Sequence, residues 1–120
     1  MKVFSYSVLF LFTLACSTHH DVDPKKDPIR YGLISRQRQY TQCFLESDSY
    51  MGKNHKKIGS MRVRFFIDGK GQVQDEKIET SDFKDPNLHA CVLGQIRSII
   101  FLTTHQQGLI EVSQPINFTP

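Results

Sequence analysis

A stretch of alternating residues at 59–68, followed at once by a turn, constrains the fold more than any other part of this chain. In GSMRVRFFID, every second side chain from Met61 to Ile67 is apolar, and most of those between them are polar or basic. This period of two predicts a β-strand with one buried face and one solvent-facing face. The sequence DGKG at 68–71 is typical of a hairpin turn, so a second, antiparallel strand should return beside the first.

The second strand, from 72 to about 80, does not alternate regularly. Its two large apolar residues, Val73 and Ile78, differ in parity, so a regular strand would place them on opposite faces. A β-bulge inserts one extra residue and would bring both side chains to the buried face. We therefore expect a bulge near residues 74–76.

Two helical patterns flank this hairpin. The first is predicted as one helix over 29–46, begun by Asp27 and Pro28 and followed by a loop over 47–58. The second begins with Asp85 as N-cap and Pro86 as the first helical residue. Helical spacing places these residues on the apolar faces of the two helices: Ile29, Leu33, Tyr40 and Phe44 on the first, and Leu88, Val92, Ile96 and Ile99 on the second.

A third alternating segment closes the chain at 109–118. Pro115 interrupts it, and a proline cannot donate to a strand ladder, so this strand should lie at a sheet edge or bend there. The predicted order is α-β-β-α-β. It gives an α+β fold, a three-stranded antiparallel sheet with both helices on one face and the first strand in the centre. The length of 120 residues allows one small domain, predicted over 29–120.

The N-terminal segment has the features of an export signal. An apolar run at 3–15 follows Lys2, and it is shorter than the roughly 20 residues that span a bilayer. A basic start, a short apolar core and a small residue before a cleavage point are typical of a signal peptide, here 1–15. A buried N-terminal strand or helix is the alternative.

Cys16 directly follows this run. Leu14, Ala15 and Cys16 resemble the end of a bacterial lipobox, although Thr13 stands where leucine is usual. We predict a lipid on Cys16 and a flexible tether over 16–28, and Ser17 favours the outer membrane. A plain cleavage nearby, which would leave a soluble periplasmic protein, is the alternative.

Three cysteines leave one without a partner after a disulfide forms, and lipidation would give Cys16 a role. Cys43 and Cys91 lie on the two predicted helices, which pack on the same sheet face, and an exported protein can form disulfides. We therefore predict a Cys43–Cys91 disulfide. Two free buried thiols are the alternative, and a metal site or catalytic thiol would need a ligand cluster that the spacing does not offer.

A small periplasmic hydrolase is a further alternative, for which the sequence offers only weak candidate residues: His89, His105, Asp82 and Asp85. His89 and Cys91 stand two positions apart on a helix and so point apart. Ser81 with His89 and Asp82 matches no nucleophile motif. We expect no catalytic site.

Metal and nucleic-acid binding are also poorly supported. Adjacent His19 and His20 could bind a metal only weakly on a flexible tether, and no further ligand cluster lies near them. The chain has 15 basic and 12 acidic residues with mixed signs, so no nucleic-acid partner is expected and no cofactor is predicted. One basic cluster could meet an anionic surface, but we expect it to be a solvated loop: Lys53, His55, Lys56 and Lys57.

An ordered set of residues runs through about 30–118. It reads Cys43, Gly59-x-x-x-Val63-x-Phe65-x-Ile67-Asp68-x-x-Gly71-x-Val73, Thr80-Ser81, Asp85-x-x-Leu88-x-x-Cys91-Val92, Phe101 and Pro115-x-x-Phe118. This set resembles the TonB-type C-terminal domain. It is most similar to the branch found in AgmX/PglI gliding-motility proteins, which have a cysteine in the first helix and a Cys-Val pair in the second.

The resemblance implies a periplasmic interaction domain that binds a partner peptide as an added strand. A tether of about a dozen residues does not cross a periplasm, so we expect a lipid-anchored binding module in a motility or envelope complex rather than an energy transducer. Its partner would be an envelope protein or peptide, and two copies could also pair. The edge implied for binding is the last strand: Leu109, Ile110, Glu111, Val112, Ser113 and Gln114.

Overall fold

The computed structural model describes residues 23–52, 56–102 and 108–120. It has the predicted α+β architecture, with three antiparallel strands in the spatial order β2-β1-β3. The N-terminal helical region differs from the expectation, because it contains three helices instead of one. The elements are α1 (Pro28–Ile34), α2 (Gln37–Leu45), α3 (Asp48–Met51), β1 (Gly59–Ile67), β2 (Val73–Ser81), α4 (Pro86–Arg97) and β3 (Ile110–Phe118).

The central strand β1 alternates as its sequence predicts. One face of it is fully buried and supplies Met61, Val63, Phe65 and Ile67 to the core. Helix residues complete the same core, chiefly Tyr40 and Phe44 from α2 and Leu88, Val92 and Ile96 from α4. The opposite face of the sheet carries polar and charged side chains that stay at least partly exposed.

Strand β2 contains the expected bulge and a second one. Phe66 pairs with Gln74 and Arg64 with Lys77, so two steps on β1 oppose three on β2. Asp75 lies in this bulge with a φ of 53°, the left-handed region that few residues other than glycine adopt. A further register shift lies between Arg62 and Val63. The first bulge lies between Val73 and Ile78 and lets both side chains turn toward the core.

Strand β3 pairs with the other side of β1 without any register shift. The ladder runs from Gly59 opposite Phe118 to Ile67 opposite Ile110. The strand begins at Ile110, so the prediction that included Leu109 was one residue too long, and Leu109 is exposed just before it. Pro115 is tolerated within β3 because the strand lies at the edge of the sheet.

The prediction of a single helix over 29–46 is wrong, because the helix breaks at Ser35 and Arg36. Ser35 ends α1, and its hydroxyl donates to the carbonyl of Gly32 at 2.5 Å. Gly32 is buried against the Phe101 ring, where an added Cβ would lie 2.6 Å from a ring carbon. Helix α1 therefore packs against the segment after α4, whereas the Cys43–Cys91 disulfide joins α2 to α4 itself. One straight helix does not satisfy both contacts.

The predicted loop over 47–58 also contains a helix, α3. The hydroxyl of Ser47 caps it by accepting a hydrogen bond from the Tyr50 amide. The ring of Tyr50 packs on that of Phe44, with centroids 5.2 Å apart. The amide and hydroxyl of Ser49 donate to Asp85 Oδ2 at 3.1 and 2.8 Å, which joins α3 to the start of α4.

Asp85 caps α4 as predicted, accepting a hydrogen bond from the Leu88 amide at 3.0 Å. Burial alone would raise the pKa of this carboxyl, but the hydrogen bonds from Leu88 and Ser49 outweigh it and lower the pKa below its ordinary value. The helix ends at Arg97, so Ile99 lies beyond it rather than on its apolar face. Ile99 is nevertheless buried in the core.

The Cys43–Cys91 disulfide is present, with Cα atoms 5.8 Å apart. Cys43 is buried on α2, whereas Cys91 lies on the exposed side of α4. The bond fixes the two helices to each other over the sheet. It connects parts of the chain that are 48 residues apart in sequence.

Candidate binding edge and groove

The outer edge of β3 is the most regular unpaired edge in the part of the chain that the structure describes. β3 pairs only with β1, so the other side of this nine-residue strand has no neighbouring strand there. β2 forms the opposite edge, but its two bulges interrupt it, and Asp75, Glu76, Lys77 and Glu79 charge it heavily. Bulges, charges and prolines are devices by which edges resist pairing; β2 has two bulges and four charges, whereas β3 has one proline, Pro115. The two edges are therefore not equivalent.

A groove lies beside β3, between the strand and the first two helices. It has a volume of about 240 Å³ and is walled by Leu33, Ile34, Gln37 and Tyr40 on the helical side and by 114–117 on the strand. We call it the β3 groove. Ile34 is 47% exposed at its mouth because α1 ends there and the chain turns toward α2. An added strand on β3 would lie next to this groove.

Tyr40 lies at the buried end of the β3 groove. Its side chain is 2% exposed, and its hydroxyl has no hydrogen-bond partner among the residues that the structure describes. Burial raises the pKa of Tyr40 to about 12, although the positive charge of Arg36 works in the opposite direction. The phenol is thus a neutral hydrogen-bond donor throughout the physiological range.

The uncovered face of the sheet holds a connected set of polar contacts. Arg62 donates to Ser113 Oγ at 3.2 Å, and Ser113 Oγ donates to Glu79 Oε2 at 3.1 Å, so the two edge strands are linked across β1. Arg64 Nε lies 3.5 Å from Glu111 Oε1. The charged side chains of this face thus contact other side chains of the same face, as expected for a solvated surface.

Ser81 and His89, considered for catalysis from the sequence, do meet in the structure. The Ser81 Oγ lies 2.9 Å from His89 Nε2. The same oxygen also lies 3.0 Å from both the amide and the carbonyl oxygen of Phe83, so it holds the turn that leaves β2. Asp82 does not extend the pair to a triad, because its carboxylate accepts from the Ser60 amide at 2.8 Å. These contacts join β2 to α4.

A larger cleft of about 460 Å³ separates α3 from the start of α4. Its wall includes Lys56, Lys84 and three aspartates, of which Asp82 and Asp85 are already hydrogen-bonded to serines of the chain. Lys56, from the basic cluster seen in the sequence, lies here. Two of the three carboxylates that line this cleft are thus engaged in structural contacts.

Several predicted residues lie outside the described ranges. They include Cys16 with the proposed signal peptide, His19 and His20 of the tether, Lys53 and His55 of the basic cluster, and His105. Within the described ranges, no three histidine, cysteine or acidic residues are grouped to hold a metal ion. No helix in those ranges is long and apolar enough to span a membrane.

No protein-family model matches this chain, and searches of curated proteins and of solved structures give no match either. The resemblance to TonB-type domains therefore depends on the residue pattern alone. Indications of function therefore come from the structure: the β3 edge, the β3 groove and the polar contacts described above.

The sequence indicated the β3 edge but not the groove beside it. Spacing placed Tyr40 on the buried face of a helix, yet nothing in the sequence shows that its hydroxyl lacks a partner. Ile34 was assigned to an unbroken helix, whereas the break after it leaves the side chain at the groove mouth. A tyrosine among aliphatic core residues is the only sequence signal for this site, since a buried phenol normally needs a partner.

Proposed function

We propose that this protein is a non-catalytic, exported binding module that takes up an extended peptide of an envelope protein as a fourth strand on β3. The observation that carries the proposal is the nine-residue ladder of β3 on β1, which has no register shift and is flanked by the β3 groove. Its outer side is unpaired among the described strands and lacks one backbone donor, at Pro115. Main-chain hydrogen bonds along such an edge supply affinity, and neighbouring pockets supply specificity.

The asymmetry of the two edges supports β3 rather than β2 as the binding strand. Strand addition needs a regular row of backbone donors and acceptors, and the bulges in β2 displace such a row twice. β3 carries a single charged residue, Glu111, whose carboxylate lies near Arg64. An incoming strand therefore meets little unpaired charge on β3 itself.

The N-terminal sequence supports a lipid-anchored location on the periplasmic face of the outer membrane. Under this proposal Cys16 carries the lipid, and the tether to residue 28 reaches at most about 45 Å when extended. That reach holds the domain close to its membrane. The TonB-like pattern supports the same binding mode and a place in an envelope or motility assembly. A soluble periplasmic protein of the same fold is the alternative.

The anchor is tested by intact mass measurement of the protein from its native membrane fraction without reductant. We expect a chain that starts at Cys16, carries acyl groups and lacks two hydrogens for the Cys43–Cys91 bond. A cleaved chain without lipid would favour the soluble alternative. An uncleaved chain would contradict export.

The binding edge is tested by site-specific photo-cross-linking in the native host. A photoreactive residue at Ser113 on β3 should capture a partner, whereas the matched probe at Lys77 on β2 should not. Both positions are exposed, so accessibility is comparable. Equal capture from both strands, or capture from β2 alone, would refute the assignment of the edge.

A further inference from the structure

The Tyr40 hydroxyl is the one feature of the β3 groove that strand addition alone leaves unexplained. It is buried and unpaired, while polar groups buried in native proteins are nearly always hydrogen-bonded. A phenylalanine would fill the same space without leaving a donor unmet. Tyr40 lines the groove, but its hydroxyl has almost no accessible surface, so a ligand atom reaches it only when a lining side chain moves aside. A ligand that brings an acceptor would then satisfy the donor.

We propose that the β3 groove selects an acidic side chain of the peptide that pairs with β3, and that Tyr40 donates the hydrogen bond that recognises its carboxylate. This inference depends on the proposed function, since the peptide must first add to β3. It goes further by assigning a side-chain preference to the partner and a specificity-determining residue to this chain.

The charge around the groove favours an anion. The segment 28–45, which forms its helical wall, contains Arg30, Arg36 and Arg38 and no acidic residue. Arg36 is close enough for its charge to act on the Tyr40 phenol. On the strand side, the only carboxylate of β3 is that of Glu111, which lies beside Arg64. None of these arginines lines the groove, but Arg36 places a positive charge near the neutral Tyr40 donor, which favours a carboxylate there.

The size and the remaining polar lining of the groove fit one such side chain. Its 240 Å³ equals the volume of about eight liquid water molecules. The amides of Gln37 and Gln114 line it and can donate to the second carboxylate oxygen. Gln114 Nε2 now donates to the Pro115 carbonyl at 3.1 Å. A backbone amide of an added strand can take over that bond and release the Gln114 side chain.

The test selects a random heptapeptide library on the full-length mature protein, in wild type and in two variants. Tyr40→Phe removes the hydroxyl without changing the shape of the ring. Tyr31→Phe is the matched control, because Tyr31 is 45% exposed on α1 and does not line the groove. Selected peptides are then synthesised with their acidic residue intact or changed to the corresponding amide, and each is titrated against all three proteins.

We expect wild type and Tyr31→Phe to enrich peptides with an acidic residue at one fixed position. Changing that residue to its amide, or Tyr40 to Phe, should each weaken binding about tenfold or more, as for a hydrogen bond to a charged group. The two changes together should cost little more than either alone.

Failure of this inference differs from failure of the proposed function. Peptides that cross-link to position 113 but show no acidic preference, or one that Tyr40→Phe leaves intact, would overturn the inference and leave strand addition standing. A library that yields no peptide cross-linking to position 113 would overturn both.

Discussion

The Cys43–Cys91 disulfide should supply a large share of the stability of this domain. It closes a loop between residues 48 apart, and the loss of chain entropy in the unfolded state for such a loop is worth about 4 kcal/mol. Small domains unfold with a total free energy of about 5–15 kcal/mol. The core is thin, since one sheet face is uncovered, so we expect a value near the lower end. Reduction should therefore leave the domain with a free energy of unfolding close to zero.

The assay is urea unfolding at pH 7 in a Cys16→Ala background. Unfolding is monitored by circular dichroism, because the chain has no tryptophan whose fluorescence could report it. With a denaturant slope of about 2 kcal/mol per molar, loss of the bond should lower the midpoint by about 2 M. Reductant and the variant Cys91→Ala should give the same result, since Cys91 is exposed and its side chain contributes little packing.

Reductant should have no further effect on the Cys91→Ala variant, which is the control for side effects of the reagent. A loss of less than about 1 kcal/mol in both cases would refute the loop-entropy reasoning. It would mean that, even without the bond, residual contacts between the segments of α2 and α4 restrict the unfolded chain.

Three further predictions concern single side chains. Gly71→Ala should destabilise by more than about 1 kcal/mol in urea unfolding, because Gly71 has a φ of +81° and an added Cβ would lie 2.0 Å from the Phe101 carbonyl oxygen. Since folding lowers the pKa of Asp85, its contribution to stability is complete above the ordinary value of 3.8 and is lost as the pH falls through the lower folded value. Unfolding free energy measured from pH 7 to pH 2 should thus drop mainly below about pH 4, and Asp85→Asn, which keeps a capping oxygen, should flatten that drop. Tyr40→Phe should leave the free protein unchanged or stabilise it by about 1–3 kcal/mol, the cost of an unmet buried donor. A clear destabilisation in thermal melting, relative to Tyr31→Phe, would show that the hydroxyl has a partner.

The parts of the fold that were predictable are those encoded over short distances in the chain. The alternation in β1 depends on neighbouring residues alone, and the parity conflict between Val73 and Ile78 required the bulge in β2. The cap at Asp85 is likewise a local property. Patterns of this kind fix side chains to faces before any tertiary contact is known.

The parts that were missed depend on distant contacts. The helix break after Ile34 follows from the close packing of Gly32 on Phe101, which is distant from it in sequence. Helix α3 is short, and the bonds from Ser49 to Asp85 hold it in place. The β3 groove exists only because that break exposes Ile34 beside the strand. Its unmatched hydroxyl is a property of the assembled fold.

The inequality of the two sheet edges has a consequence for how many molecules can assemble. A sheet with two regular edges can be extended from both sides, and copies of it can stack edge to edge into a fibre. Here the bulges and charges of β2 block one side. Under the proposed function, each molecule would then be monovalent. Whether β3 takes a peptide or the β3 strand of another copy, growth stops after a single addition.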